Sequence, residues 1–266
     1  MNTKRLEIKN RRGLKLVIQV DEPADPKHLV FIQPGQGGFI EQEHMEAFGK
    51  AFLENNFRIV RFDPTNSVGE SSGDIKNVTY TNYFEDLEDV INWAKTQSWY
   101  QEPFALSGHS MGAQATAWYA EYHPEEVELL APIAPVVNYE IYIKTLDPDY
   151  KKEWQEKGYT ITKSRSKPGV VKKIGWDVNE SLKDFDLLPM ASKLTMPVLF
   201  MVGEFDQPCP YENQKLLFDA IPSKNKKFVT IKRAEHSFRN SETGQYGKEL
   251  EEVKSAMSGW IKEVVK

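Results

Sequence analysis

The chain of 266 residues is 40% hydrophobic and 27% charged, a composition that fits one large α/β domain. Its net charge of −5 gives no indication of a nucleic acid or an anionic membrane as partner. Cys209 is the only cysteine, which excludes an intramolecular disulfide, and residues 1–9 lack the apolar core of a signal peptide. No apolar run is long enough to span a bilayer, so we expect a cytoplasmic protein that does not associate with membranes.

Strand and helix signals alternate along the chain. Residues 6–9 and 14–20 alternate between apolar and polar side chains around a turn at residues 10–13, which predicts an antiparallel hairpin. Further strands are expected at residues 28–33, 57–62, 103–107, 127–133, 197–202 and 227–231. Helices are expected at residues 41–54, 80–95, 113–123, 210–220 and 248–264. This order predicts an α/β fold with a mostly parallel central sheet that helices cover on both faces.

Residues 138–191 interrupt this alternation. The segment contains the loop-like residues 164–169, many lysines and six tyrosine and tryptophan residues: Tyr139, Tyr142, Tyr150, Trp154, Tyr159 and Trp176. A long run without regular structure is uncommon unless it is functional, so we interpret the segment as a cap inserted into a core of residues 1–137 and 192–266. A long crossover within the sheet is the alternative.

The sequence Gly-His-Ser-Met-Gly at residues 108–112 carries most of the functional information. It fits the G-x-S-x-G pattern, and it stands between a predicted strand and a predicted helix, which is the setting of a nucleophile elbow. Such a turn exposes the serine hydroxyl above the sheet edge, and the helix N-terminus favours the negative charge that develops in acyl transfer. We therefore predict that Ser110 is a nucleophile. A glycine-rich turn with an ordinary serine is the alternative.

A nucleophilic serine needs a base, and the base needs an acid that orients it. Of the five histidines, only His236 follows a core strand at the sheet edge expected for Ser110, whereas His44 stands on a predicted surface helix. Asp206 follows another core strand and is the predicted acid, with Glu204 in reserve. The alternatives are an exposed loop histidine and an aspartate that hydrogen-bonds only its own turn.

The glycine-rich residues 34–38 follow a predicted strand. We expect the backbone amides of Gln36 and Met111 to form an oxyanion hole for the tetrahedral intermediate. A phosphate-binding loop fits poorly, because a G-x-G-x-x-G pattern requires glycine where Ile40 stands and no Walker lysine follows. The histidines and Cys209 show no metal-ligand spacing, so neither a metal nor a cofactor is expected.

Together these motifs resemble an α/β-hydrolase, in the branch that groups serine aminopeptidase-like hydrolases with small feruloyl or cinnamoyl esterases. The motifs that carry the resemblance are at residues 10–14, 34–38, 69–73, 108–112, 203–206 and 235–237. Two departures concern segments that line the entrance in such enzymes. Pro34 stands where the family usually has histidine, and residues 63–68 lack the usual Arg-Gly-His pattern.

The resemblance implies an α/β-hydrolase fold and a serine hydrolase that cleaves a small-molecule carboxylic ester through an acyl-enzyme. We expect aryl or medium-length acyl esters, with Tyr159 and Trp176 of the cap as an apolar wall of the pocket. The competing interpretation is that these aromatic rings only attach the cap to the core. An aminopeptidase or amidase with the same residues, and a catalytically silent ligand receptor, are the alternative functions. The sequence indicates no oligomeric state.

Overall fold

Strands and helices alternate in the computed structural model, which describes residues 2–265. The strands are β1 (Asn2–Lys9), β2 (Lys15–Glu22), β3 (His28–Gln33), β4 (Phe57–Asp63), β5 (Phe104–His109), β6 (Val127–Ile133), β7 (Tyr159–Lys163), β8 (Val171–Gly175), β9 (Val198–Gly203) and β10 (Lys226–Ile231). The helices are α1 (Glu43–Leu53), α2 (Tyr80–Ala94), α3 (Met111–Tyr122), α4 (Tyr139–Tyr142), α5 (Pro148–Lys157), α6 (Asp177–Leu182), α7 (Tyr211–Ala220) and α8 (Lys248–Val264). Short 3₁₀ helices occupy Ile75–Asn77, Pro124–Glu126 and Ala191–Lys193.

Eight of these strands form one sheet in the order β1-β2-β4-β3-β5-β6-β9-β10. The strand β2 is antiparallel to β1 and to β4, and every other pairing in this sheet is parallel. The predicted N-terminal hairpin and the mostly parallel sheet are thereby confirmed. Parallel neighbours end at the same edge, so β3, β5, β9 and β10 bring their carboxyl ends, and the loops that follow, to one side of the molecule.

Helices cover both faces of the sheet, and the alternation of side chains in the central strands shows why. In β3, Leu29 and Phe31 pack in one core cluster with residues of α2 and α3, whereas Val30 and Ile32 pack in a second cluster with residues of α1 and α8. All four side chains are fully buried. A strand that is apolar on both faces can be stable only when both faces are covered, which accounts for the continuous apolar runs in the sequence.

The residues between β6 and β9 form a separate substructure, which we call the insertion segment (residues 138–191). It contains α4, α5, α6 and an antiparallel two-stranded sheet of β7 and β8. Because β6 and β9 are neighbours in the main sheet, the segment leaves and rejoins the core at adjacent positions. Buried Trp154, Ile174 and Trp176 attach it to Tyr80 and Met111 of the core through one apolar cluster.

None of the helices formed by residues 2–265 is both long enough and apolar enough to cross a lipid bilayer.

Candidate active site

The backbone turns sharply at Ser110. The strand β5 runs to His109 and α3 begins at Met111, so the turn between them is the serine alone. Both elements extend closer to the serine than the sequence indicates. Ser110 has φ +54° and ψ −117°, a conformation that costs energy for a residue with a side chain. Its amide donates a hydrogen bond to the carbonyl oxygen of Ile133 at the end of β6, at 2.9 Å, which holds the turn in place.

The two glycines of the motif are required by close packing of the backbone. A Cβ atom at Gly108 would lie 2.5 Å from the carbonyl oxygen of Gly112. A Cβ atom at Gly112 would lie 2.4 Å from the carbonyl oxygens of Gln33 and Pro34 at the end of β3. These distances are well below van der Waals contact, and backbone atoms cannot rotate away as a side chain can. The elbow therefore forms only with glycine at both positions.

Asp206 and His236 form a hydrogen-bonded pair beside the elbow. Nδ1 of His236 lies 2.9 Å from each carboxylate oxygen of Asp206. The Asp206 side chain is 0% exposed, whereas that of His236 is 23% exposed. Asp206 Oδ1 also accepts the amide of Cys209 at 2.8 Å, so the carboxylate both caps its own turn and contacts the imidazole. With a proton on Nδ1 directed to the carboxylate, the other ring nitrogen is left to accept a proton.

Glu204, the reserve acid, lies elsewhere. Its carboxylate accepts the backbone amide of Arg233 at 2.9 Å and pairs with Lys232 at 3.0 Å. The hydrogen bond from the Arg233 amide and, to a lesser extent, Lys232 lower the pKa of this carboxyl. The structure therefore brings Asp206, and not Glu204, to the imidazole.

The buried thiol of Cys209 lies beside the Ser110 hydroxyl. Burial and the Asp206 carboxylate raise the pKa of the Cys209 thiol well above its ordinary value, and a hydrogen bond with Ser110 opposes them. Within residues 2–265, Ser110 makes no hydrogen bond to the His236 ring. Hydrogen bonds between nucleophile and base are often long in free enzymes and shorten in the complex with substrate.

The predicted oxyanion loop lies beside the elbow and is held by a residue that the sequence analysis did not identify. The Tyr83 hydroxyl donates to the Gly35 carbonyl oxygen at 2.9 Å and accepts the Gly37 amide at 3.2 Å. Gln36 and Met111 both line the cavity at Ser110. Met111 is the first residue of α3, so its amide has no acceptor within the helix. Tyr83 occupies a core position in the helical pattern, and nothing in the sequence distinguishes it from an apolar core residue.

Two further histidines support the loop that carries His236. Nε2 of His109 lies 2.9 Å from the His236 carbonyl oxygen, and the ring of His109 lies 4.6 Å from that of His236 and 4.6 Å from that of His44. Burial lowers the pKa of His44 to about 3 and that of His109 well below its ordinary value, so both rings are neutral. His44 is 2% exposed, which corrects the expectation of a surface position.

The cavity at Ser110 has a volume of about 360 Å³ and lies between the sheet edge and the insertion segment. The aromatic residues that line it from the segment are Tyr142, Tyr150 and Trp154. The structure places neither Tyr159 nor Trp176 on this cavity, which corrects the residues expected there. The Trp176 ring packs edge-on against Trp154 at 5.4 Å, and the Tyr159 ring is covered by the ammonium group of Lys173 at 3.9 Å.

One cluster near Ser110 has the residue types of a metal site. Asp206, Cys209 and His236 each place a potential ligand atom within 4.8 Å of the others. Their sequence separation matches no common metal-binding pattern, so spacing alone could not have indicated it. The hydrogen bonds of Asp206 with His236 and with the Cys209 amide account for this arrangement without an ion.

Solved structures with a similar fold include several hydrolases. Est1E from Butyrivibrio proteoclasticus, solved with ferulic acid bound, has a TM-score of 0.79 and 22% identity over 98% of this chain and 99% of that chain. Alpha/beta hydrolase domain-containing protein 10 from mouse has a TM-score of 0.75 and 18% identity over 98% and 99%. The Pyrococcus furiosus esterase Pf2001 has a TM-score of 0.69 and 18% identity over 100% and 94%. At these identities the likenesses establish the α/β-hydrolase fold, which confirms the expected fold class.

Sequence comparison establishes the family. No curated protein matches the chain significantly. Residues 65–265 match the family model of the prolyl oligopeptidase family, Peptidase_S9. The matched residues make up well over half of the chain and include Ser110, Asp206 and His236. The resemblance inferred from the motifs is thereby confirmed at the level of the superfamily, and the chain belongs to the prolyl oligopeptidase family, as a hydrolase of the α/β-hydrolase superfamily.

Proposed function

We propose that the protein is a serine hydrolase that cleaves carboxylic esters through an acyl-enzyme at Ser110. The observation that carries this proposal is that the Ser110 elbow and His236, whose imidazole pairs with buried Asp206, line one cavity. A serine hydroxyl is too weak an acid to attack an ester unaided, and a neighbouring imidazole with a buried carboxylate is the arrangement that activates it. A receptor that only binds a ligand has no need of such a pair.

In the proposed mechanism, Ser110 attacks the ester carbonyl while His236 takes its proton at the free ring nitrogen. Asp206 holds the imidazole in the required tautomer and stabilises the imidazolium that forms. The amides of Gln36 and Met111 donate hydrogen bonds to the oxyanion. His236 then returns the proton to the leaving alcohol, and water releases the acyl group by the reverse sequence. These steps need no cofactor.

The insertion segment is proposed to act as a cap over Ser110. Tyr142, Tyr150 and Trp154 form an aromatic wall of the cavity, and a cavity of about 360 Å³ accommodates an aryl or medium-length acyl group. The similarity to a structure solved with ferulic acid is consistent with an aryl ester. Large aromatic side chains supply apolar contact and keep a polar group for orientation.

Amide hydrolysis is the second candidate, because the matching family is named for an oligopeptidase. The same serine, histidine and aspartate would perform it, since acyl transfer to serine is common to both reactions. A panel of esters, thioesters and aminoacyl amides separates the two functions. An ester preference in kcat/KM is expected.

The test of the nucleophile is Ser110→Ala, with Ser237→Ala as the matched control, because Ser237 lines the same cavity. We expect Ser110→Ala to lower kcat for the best ester by about 10⁴- to 10⁶-fold and to abolish labelling by a fluorophosphonate. Ser237→Ala should retain labelling and most of the activity. A folded Ser110→Ala protein with more than about a tenth of the wild-type kcat would overturn the mechanism, because loss of a nucleophile is far costlier.

A further inference from the structure

A lysine without a counterion faces the candidate active site. Lys172 lies on β8 and lines the cavity that contains Ser110. A Cβ atom at Gly37 would lie 3.1 Å from Lys172 Cδ and 3.5 Å from its Nζ, so the side chain runs directly along the predicted oxyanion loop. Burial lowers the pKa of this lysine. Among residues 2–265, no carboxylate lies within salt-bridge distance of Lys172.

Thr162 stands beside this lysine. Thr162 and Lys172 are direct partners across the β7–β8 hairpin, so their side chains project from the same face. Thr162 also lines the cavity, and its hydroxyl oxygen is buried without a hydrogen-bond partner in the described part of the chain. A buried hydroxyl without a partner is costly, and here it lies across the hairpin from an ammonium group that makes no hydrogen bond to the described residues. The two groups are donors that lack an acceptor.

The lining of the cavity has a charge opposite to that of the whole chain. Its charged residues are Lys163, Arg165 and Lys172, and the lining contributed by residues 2–265 includes no aspartate or glutamate. The net charge of the chain is nevertheless −5. Arg165 is neutralised by Glu235 at 2.7 Å. Positive charge is therefore concentrated at the hairpin side of the cavity.

Two neighbouring lysines of the hairpin, Lys167 and Lys173, are engaged elsewhere. Lys167 donates to the Val68 carbonyl oxygen at 2.7 Å and lies over the ring of Phe39. Lys173 lies over the ring of Tyr159. Lys172 differs from both because it lines the cavity and has no such partner among the described residues. A partly buried ammonium group binds an anion more strongly than one in water does.

We propose that Lys172 and Thr162 bind an anionic group of the substrate, so that the preferred ester carries a carboxylate or phosphate on its acyl portion. This inference rests on the proposed ester hydrolysis at Ser110 and names its substrate class. The aromatic residues Tyr142 and Trp154 contact the apolar part of the acyl chain, and the hairpin holds its charged end. Oxyanions of both kinds accept hydrogen bonds from an ammonium and a hydroxyl group.

The test compares matched p-nitrophenyl esters: the neutral butyrate, the succinate half-ester, and an analogue with a phosphonate in place of the free carboxylate. The variant Lys172→Met keeps the length of the side chain and removes its charge. Lys173→Met is the control, since Lys173 is the next residue on β8 and projects from the opposite face. Thr162→Val removes only the hydroxyl group and keeps the shape of the side chain.

We expect the wild-type enzyme to favour an anionic ester over the butyrate. Lys172→Met should lower kcat/KM for that ester by about 10- to 100-fold, mainly through KM, and change the butyrate by less than about 3-fold. Thr162→Val should have a smaller effect in the same direction, and Lys173→Met should change neither ester. The ester whose kcat/KM falls more in Lys172→Met, the one with the carboxylate or the one with the phosphonate, identifies the anionic group that Lys172 binds.

Equal loss for the neutral and anionic esters in Lys172→Met would overturn the proposal, because it would show that the lysine acts on the oxyanion loop. An equal effect of Lys173→Met would show a general effect of surface charge and would also overturn it. Calorimetric titration of succinate and of inorganic phosphate into Ser110→Ala and into Ser110→Ala/Lys172→Met separates this inference from the proposed function. Binding that depends on Lys172 would uphold anion recognition even if no ester is hydrolysed, and its absence would count against it.

Discussion

The two walls of the cavity at Ser110 are built in different ways. The wall at the sheet edge, which we call the catalytic wall after the proposed function, carries Ser110 and is backed by closely packed backbone, where neither Gly108 nor Gly112 can carry a Cβ atom. The opposite wall belongs to the insertion segment, whose hairpin exposes residues such as Ile161 and Val171 at 61% and 60%. The first wall fixes the position of Ser110, the proposed nucleophile. The second wall presents side chains of a segment that packs on the core through two apolar clusters.

We expect the first wall to determine the overall rate of the proposed reaction and the second wall to determine which substrates are preferred. A change on the catalytic wall moves groups whose geometry must be held closely, and activity toward every substrate should fall. A change on the insertion segment alters contacts with one part of the substrate, so it should alter the ratio between substrates. The following substitutions test this separation.

The largest effect among these substitutions is expected at Asp206. Asp206→Asn removes the charge that orients the imidazole and favours the wrong tautomer, so kcat should fall by about 10²- to 10⁴-fold for all esters alike. Glu204→Gln is the control, because that carboxylate contacts Arg233 and Lys232 at the surface. Steady-state kinetics on small and large esters provide the measurement. A greater loss in Glu204→Gln than in Asp206→Asn would reverse the assignment of the acid.

An intermediate effect is expected at Trp154. Trp154→Phe shortens a ring that lines the cavity, so kcat/KM for large acyl esters should fall by about 10-fold while acetyl esters change little. Trp176→Phe is a matched control: the two rings pack against each other, both are buried, and only Trp154 lines the cavity.

Each of these tryptophans donates one hydrogen bond from its ring nitrogen, to Ile174 or to Glu180, so the two variants lose comparable structural contacts. The readout is the ratio of kcat/KM for large and small esters. If Trp176→Phe shifts this ratio as much as Trp154→Phe, the wall does not set acyl selectivity.

The smallest effect concerns stability on the catalytic side. Glu121 lies on α3, is 1% exposed, and has both carboxylate oxygens without partners in residues 2–265. Burial, with a contribution from Asp186, raises the pKa of Glu121 to about 9 from 4.5. The protonated Glu121 carboxyl therefore contributes fully to the free energy of unfolding below about pH 4.5. This contribution is lost as the pH rises to about 9, because the carboxyl of the unfolded chain releases its proton at a lower pH than that of the folded protein.

Glu121→Gln imitates the neutral carboxyl and should remove this pH dependence. At pH 5.5, about one unit above the ordinary pKa, we expect the variant to be more stable than the wild type by about 1 kcal/mol, or about 2–4 °C in Tm, and the difference should grow as the pH rises toward 9. Thermal unfolding between pH 5 and pH 9 provides the measurement, with the exposed Glu125→Gln as control. Parallel Tm curves for the wild type and Glu121→Gln would show that the carboxyl ionises in the folded protein.

The sequence by itself was sufficient to predict the α/β fold, the N-terminal hairpin and the proximity of Ser110, Asp206 and His236 in the folded chain. These features depend on local signals: apolar runs that end in turns, a glycine on each side of the elbow, and polar residues directly after strands. Because parallel strands end at one edge, residues far apart in the chain could be assigned to one site from the order of the strands alone. The chemical roles of the three residues stay predictions.

Only the tertiary structure decided which side chains face the cavity. Trp154 and Trp176 are alike in composition and both are buried, yet one lines the cavity and the other packs behind it. Tyr83 holds the predicted oxyanion loop from a buried position on α2. Lys172 is one of many lysines, and its lack of a counterion is visible only when the hairpin is packed against the sheet edge. Such facts depend on the orientation of one element against another, which no local pattern encodes.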